Sequence, residues 1–584
     1  MATLTAAGLL FLFALRAGRQ GRTAAAAWAI VAAGLVLRLY AGTDLFLHAW
    51  DERFHALVAK HLAEHPLRPT LYEHPMLAYD YRNWRANHVW LHKPPLALWL
   101  MAASLRVLGV DEIALRLPSL LLSTLAVFMT WVVGSCWCGR RVGLLAAGFH
   151  AVNGYLLQLP GGRVAVDHVD NALVVCVELG IFLAVLQARS RRRWWAWVPA
   201  IGAATGLAVL AKWLPGLLVI PVWLALAWGR KRPAAIAVAL AGIAAVAAAV
   251  ALPWQAYIGQ EFPLEAQWEA AYNLRHLFVP IEGLGGSPLF HLLRMPRYFG
   301  ELIYLPVAWF LWQLAAGARR RRRRPQQANA GLAAAAGPQE AGAPAASEAP
   351  PPPADAAQLP AGQPNTGLVA AAYAGGTAHE RVALAAWLLI PYVAFSFAAT
   401  KLGGYVMLAA PALCIVEAAF WLWLWDRRPR NGAAAALRWA LLGLLLLLPL
   451  RYTVERLKIR AAYDRNPPWA RALRALPARL GPGPIVLFHL DEPLEAMFYT
   501  PFVAAYERVP TPVEARRLLD AGYRVVVLDA AAAPPELRGV AGIELLAEAI
   551  PAAPLDDGTG FRLPRADGSD SPLAGGATAD PSSP

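Results

Sequence analysis

Apolar runs of about 16–22 residues recur along this chain, close to the length of about 20 residues that a helix needs to cross a bilayer. They predict spans at about Ala24–Ala41, Leu117–Trp137, Val142–Leu159, Asn171–Gln187, Trp195–Ala211, Leu214–Trp228, Pro233–Leu252, Tyr298–Leu314, Val382–Ala399, Gly403–Trp425 and Ala434–Leu450. Met1–Leu15 is a shorter apolar run, followed by Arg16, Arg19 and Arg22 in the reverse of signal-peptide order. Pro94–Leu108 is amphipathic and is expected along the membrane surface. The expectation is an α-helical polytopic membrane protein of about 11–13 transmembrane helices, eleven of them firm.

Polar stretches divide the chain further. Residues 1–23 form a short N-terminal segment, and residues 24–318 a membrane core with loops at 42–93 and 253–297. Residues 319–381 open with six consecutive arginines, Arg319–Arg324, and continue rich in Ala, Pro, Gly and Gln. Such a composition buries too little surface to fold, so a disordered linker is expected. Helices return at 382–450. Residues 451–565 read as a small α/β domain, with buried strands at Pro484–His489 and Arg524–Asp529. A helix at Thr511–Ala521 lies between them, Thr511 being its N-cap and Glu514 the matching acid. The end, 566–584, reads as a disordered tail.

Charge orients this pattern. With Arg16–Arg22 in the cytoplasm, Arg140-Arg141, Arg191–Arg193, Arg230–Arg232, Arg319–Arg324 and Arg427–Arg430 also fall inside. Loops 42–93 and 253–297 and the C-terminal domain then fall outside, as the positive-inside rule requires. Composition agrees: 58% of residues are hydrophobic, only 16% are charged, and the mean hydropathy is +0.41. The net charge of +14 would suggest nucleic acid in a soluble protein, but here much of the Arg serves orientation, so no nucleic-acid partner is expected. Cys136, Cys138, Cys176 and Cys414 lie in apolar runs, with neither zinc spacing nor a disulfide framework.

The chemistry sits at outer turns. Asp51-Glu52 follow the first span, as candidates for a base or a metal ligand. Lys93, at the end of the first outer loop, is placed for a lipid phosphate. Arg163, Asp167, His168 and Asp170 share the next turn, and a carboxylate at a membrane edge is a functional candidate by default. Lys212 and Lys401 lie at outer turns where positive-inside statistics disfavour them, which a bound anion would explain. In the second loop Glu261, Glu265 and Glu269 would share one helix face, read as solvated, while Arg275-His276 could supply another phosphate contact. Asp111-Glu112 and Arg116–Ser119 read as a cap and helix entry. No metal is predicted from Asp167, His168 and Asp170, and no cofactor is predicted, although a divalent metal stays open.

Asp51-Glu52 after the first span resembles the Asp-Glu pair of the GT-C-type membrane glycosyltransferases, among them the protein O-mannosyltransferases and the aminoarabinose transferase of lipid A. The resemblance continues through Lys93-Pro94-Pro95-Leu96 with Trp99, Arg116-Leu117-Pro118-Ser119 and Asp170-x-x-Leu173. It extends through Gly206-Leu207-Ala208-x-Leu210-x-Lys212, Pro253-Trp254, and Lys401-Leu402-x-x-Tyr405 with Pro411, covering roughly residues 30–420. It implies a GT-C-like bundle, a polyprenyl-phosphate-linked sugar donor, and inverting transfer to a lipid, glycan or protein acceptor at the periplasmic face of a bacterial inner membrane. Asp51 would be the main catalytic carboxylate, with Glu52 and Asp170 beside it. Lys93, Lys212 and Arg275 would hold the phosphate, Lys401 would assist, and Arg163, Asp167, His276 and Tyr405 are additional candidates. Arg53-Phe54-His55 departs from the family pattern and leaves the acceptor open. A transporter or flippase of an anionic lipid is the competing class; it would place charges at the bilayer midplane and often shows inverted repeats.

Overall fold

The computed structural model describes residues 2–190, 193–335, 376–429, 431–460, 462–547, 549–551 and 553. Helices α1 (Ala2–Arg19) and α2 (Thr23–Ala41) pack against each other. Helix α3 (Asp51–Glu64) and helix α4 (Pro95–Leu108) bracket the first polar loop. The bundle continues with α5 (Glu112–Cys138), α6 (Arg140–Val152), α7 (Gly154–Gln158), α8 (His168–Arg189), α9 (Val198–Lys212), α10 (Val219–Ala227) and α11 (Pro233–Glu261). Then come α12 (Pro263–Phe278), α13 (Phe290–Phe299), α14 (Tyr304–Ala335), α15 (Ala378–Phe397), α16 (Ala410–Trp425) and α17 (Gly432–Arg456).

Among the described residues eight helices are long and apolar enough to cross a membrane, or ten if each of two bent pairs is one span. The predicted run at 142–159 is bent by 56°. Asn153 causes the break: its side chain accepts from Tyr155 and Leu156 N–H groups, starting a new helix where α6 ends. The run at 298–314 belongs to a pair bent by 115°, hinged at Gly300 with its positive φ. The run at 214–228 is a shorter apolar helix, as is α4. Helix α11 runs past Pro253 to Glu261, so the second polar loop begins later than the hydrophobic pattern predicts. Helix α14 carries helical backbone through Arg319–Arg324, where a linker was expected. The rest of that linker, 336–375, and the tail from 554 lie outside the described residues.

Basic joints gather at one end of the bundle. Arg141 pairs with Asp426 at 3.0 Å, Arg189 approaches Glu380 at 3.5 Å, and Arg230 donates to Thr377. At the other end the first polar loop folds back on itself through paired backbone at Thr70 and Val89. That return brings Lys93, just before α4, to the start of α3.

The chain ends in a small α/β domain containing α18 (Pro468–Leu480), β1 (Ile485–Phe488), α19 (Pro493–Tyr499), β2 (Ala504–Tyr506), α20 (Pro512–Asp520), β3 (Arg524–Val527), α21 (Pro535–Arg538) and β4 (Glu544–Leu545). Its sheet is parallel throughout, in the order β2-β1-β3-β4. Helix α20 carries the capping box of Thr511 and Glu514 that the sequence indicates. The short strands β2 and β4 give no comparable signal.

Candidate active site

Asp51 is the first residue of α3, where the helix dipole favours a carboxylate. Its Oδ2 lies 3.4 Å from Lys93 Nζ, and each side chain keeps 16% exposure. A second pair stands nearby: Lys212 Nζ donates to Asp170 Oδ2 at 2.6 Å and sits 5.1 Å from the Tyr405 ring centre. Burial works against the Lys93 charge, but Asp51, Asp170, Glu282 and Asp167 outweigh it and raise its pKa. The His276 imidazole has its pKa lowered by burial and by the neighbouring cations Lys93 and Lys212. Two cations, two carboxylates, Tyr405 and His276 therefore share one region, although they come from distant parts of the chain.

Helix ends produce this convergence. Lys93 is followed by Pro94 in extended backbone, and Pro95 begins α4 where a missing N–H costs nothing. Asp170 lies in the first turn of α8, whose N-cap is Asp167. Lys212 is the last residue of α9, and Trp213 stops the helix with φ +60 and ψ −145. That is a conformation non-glycine residues rarely adopt, at a cost of order 1–3 kcal/mol. Tyr405 lies in the 3₁₀ segment Gly403–Ala409. The segment comes so close to its neighbours that a Cβ on Gly404 would lie 2.0 Å from Val166.

Glu52, the other half of the acidic pair, does not join the site. It is fully buried, with Arg116 donating to both oxygens at 2.7 and 2.9 Å. His48 Nδ1 lies 2.6 Å from Oε2, and His168 Nε2 3.2 Å from Oε1. Burial opposes the Glu52 charge, but Arg116 and His48 hold its carboxyl well below the usual range. Gly162 makes the approach feasible: its φ is +71, and a Cβ there would sit 2.0 Å from Glu52 Oε1. The sequence reading of Glu52 as catalytic gives way to a structural one, because both oxygens are already taken.

Three more candidates are engaged by other side chains or by backbone carbonyls. Asp167 accepts from Val169 N–H and meets His55 Nδ1 at 2.9 Å, both side chains being fully buried. Arg163 is bound to buried Asp44 at 2.6 Å. Lys401 donates to the carbonyls of Phe395, Ser396 and Ala398, and so caps α15. Arg275 is exposed and makes no ion pair among the described residues.

Residues 92–257 match the family described as dolichyl-phosphate-mannose-protein mannosyltransferase. No curated protein sequence matches the chain. ArnT from Cupriavidus metallidurans, in its crystal structure bound to undecaprenyl phosphate, superposes with a TM-score of 0.52 at 16% identity, over 82% of this chain and 85% of that one. Its apo state gives 0.52 at 15% identity, over 90% of each chain. The chain has the fold of the GT-C-type membrane glycosyltransferases. The apo Archaeoglobus fulgidus oligosaccharyltransferase also matches, with a TM-score of 0.50 at 12% identity, covering 83% of this chain and 64% of that chain. The matched stretch 92–257 contains Lys93, Asp170 and Lys212, while Asp51 precedes it.

The chain also holds groups that pattern reading missed. Asp44 and His48 precede the Asp-Glu pair, and Arg116 was read as helix entry. Asp111 does cap α5, accepting from Ala114 N–H, but Arg116 reaches across to Glu52 and to the carbonyls of Gly42, Asp44 and Phe46. Glu282 accepts from Trp84 and Tyr272 near the site. Glu269, read as one of a solvated stripe, is buried, because α12 sets it against His92 at 3.2 Å. Among the described residues no group of three or more His, Cys, Asp or Glu is arranged to hold a metal ion.

Burial pushes the Glu269 carboxyl up to about 8, with Lys93 and His276 pulling the other way, and burial lowers the His92 imidazole well below its usual range. A carboxylic acid thus faces a neutral imidazole at pH 7. The folded chain holds this proton at pH values where the unfolded chain has released it, so stability falls as pH rises through that window. Glu269→Gln is therefore expected to melt increasingly above the wild type between pH 5 and pH 8. Thermal unfolding across that range measures it; a constant difference would show that Glu269 ionises normally.

Proposed function

We propose that this chain transfers a sugar from a polyprenyl-phosphate carrier to a lipid, glycan or protein acceptor, with inversion, at the periplasmic face of a bacterial inner membrane. The observation that carries this reading is the adjacency of Asp51 with Lys93, and of Asp170 with Lys212, in one region of a GT-C fold. The undecaprenyl phosphate named for the C. metallidurans ArnT structure supports the donor class.

The chemistry follows from the pairing. Without a ligand each lysine is neutralised by a carboxylate. An arriving phosphodiester competes for both cations, and Lys93 turns from Asp51 to the phosphate. Asp51 is then free to accept the proton of an acceptor hydroxyl as that oxygen attacks the anomeric carbon. The bond from the anomeric carbon to the phosphate oxygen breaks on the opposite face, and its electron pair leaves with the carrier phosphate. Lys93 and Lys212 stabilise the charge that develops there, and exposed Arg275 is free to swing toward it. A carboxylate beside the sugar also favours an oxocarbenium-like transition state. The phosphate is already a good leaving group, so no general acid is required.

The deciding experiment incubates purified protein with labelled polyprenyl-phosphate sugars and envelope acceptors. Labelled product supports the reading; carrier moved across a vesicle bilayer without transfer would favour a flippase. Lys212→Ala is expected to weaken undecaprenyl phosphate binding about tenfold or more, the scale of one lost charge-assisted hydrogen bond. Unchanged affinity in a direct binding assay would remove Lys212 from the phosphate clamp.

A further inference from the structure

We infer that the C-terminal α/β domain positions the Asp51 helix, through Lys60, Arg53 and Tyr499. The inference rests on the reading of Asp51 as the catalytic carboxylate, and it gives the domain a role in the transfer step.

Helix α3 lies against α19 of the C-terminal domain. Lys60 Nζ donates to the carbonyls of Met497, Phe498 and Thr500 at 2.5, 3.2 and 2.9 Å. Carbonyls at a helix end lack partners within the helix, so a half-buried ammonium from α3 closes the end of α19. Two residues after Asp51, Arg53 lies 3.8 Å from Glu495, whose side chain is only 2% exposed. The Tyr499 hydroxyl donates to Glu112 at 2.7 Å and accepts from Leu47 N–H at 3.0 Å. It thereby ties the approach to α3 to the first turn of α5.

The same domain holds the far side of the loop. Tyr72 stacks on Tyr506 at 5.2 Å and donates to the Ala505 carbonyl. The Tyr506 hydroxyl in turn accepts from Met76 and Leu77 N–H groups. Arg465 and Tyr463, on the segment leading into the domain, bind Asp44 at 2.7 and 3.1 Å. The domain therefore grips the chain from Asp44 to Leu77, before, along and beyond α3. None of these groups reaches Lys93 or Lys212, so they act by placement. Placement matters because an error of about 1 Å in a reacting group can cost about a hundredfold in rate.

The test uses full-length protein in lipid nanodiscs, with Lys60→Met, Lys60→Arg and Tyr499→Phe. Hydrogen exchange is read at the amides of 51–64 and, as an internal control, in α5 beyond Pro118, clear of the Tyr499 contact at Glu112. Lys60→Met and Tyr499→Phe are expected to speed exchange in 51–64 about tenfold or more and leave α5 unchanged, with Lys60→Arg near wild type. In transfer assays kcat should fall about tenfold or more while undecaprenyl phosphate affinity stays within about twofold, since a misplaced Asp51 costs the transition state rather than carrier binding. Wild-type exchange in 51–64 for both Lys60→Met and Tyr499→Phe would overturn the inference, as would loss of protection spread equally through α5. Normal kcat with loosened α3 would also overturn it. The exchange measurement needs no donor: loosened α3 together with a wild type that transfers no sugar would sink the transferase reading and leave the mechanical link standing.

Discussion

Asp51→Asn is expected to lower sugar transfer by about a thousandfold or more, within the range set by loss of a positioned general base. The replacement keeps the shape of the side chain and its place at the start of α3, and removes its basicity and its charge. Lys93 loses its partner at 3.4 Å and faces the phosphate without competition. Undecaprenyl phosphate affinity is therefore expected to hold or to rise while turnover collapses. Asp51 keeps some exposure and no second cation binds it among the described residues, so the variant should insert and melt like the wild type. Initial rates with a labelled donor, beside direct carrier binding, measure the two effects separately. Near-normal transfer would take Asp51 out of the chemistry, and with it the proposed mechanism.

Arg116→Met is expected to show the opposite profile, losing the folded protein rather than one chemical step. The guanidinium is fully buried, grips both Glu52 oxygens and donates to three backbone carbonyls ahead of α3. Removing it leaves a buried carboxylate short of its main counter-charge, which costs about 3–5 kcal/mol. Arg116→Lys should recover only part of this, since an ammonium cannot reproduce the bidentate fork. Glu52→Gln combined with Arg116→Met should be less damaging than Arg116→Met alone, because no unpaired charge remains. Thermal denaturation in nanodiscs reads all three; an unchanged midpoint for Arg116→Met would show that the buried pair contributes nothing.

These two neighbours in the sequence, Asp51 and Glu52, mark the limit of what pattern reading resolves. Both are acidic, both follow the first span, and both begin the same helix. What separates them is which side of α3 each faces. One helical step turns Glu52 toward Arg116, His48 and His168, and leaves Asp51 facing Lys93. Asp167 and Asp170 repeat the case on α8: one caps the helix and binds His55, the other meets Lys212. Lys212 and Lys401 repeat it among the cations, since Lys401 is spent on the carbonyls of α15.

The sequence by itself determined the helical membrane architecture, the positions of the long apolar helices, the α/β end and the short set of acidic and basic residues from which a site could be built. Those features are local: apolar run length, caps and charge clusters act within a few residues. Only the tertiary structure decided the breaks at Asn153 and Gly300, the burial of Glu269, and which charges meet. The decisive partners are far apart in the chain, Asp51 with Lys93, Asp170 with Lys212, Glu52 with Arg116 and Lys60 with the end of α19. Whether a charged group stays free for a ligand or is consumed in the frame depends on burial and on the nearest opposite charge. Both are fixed only once the helices have packed.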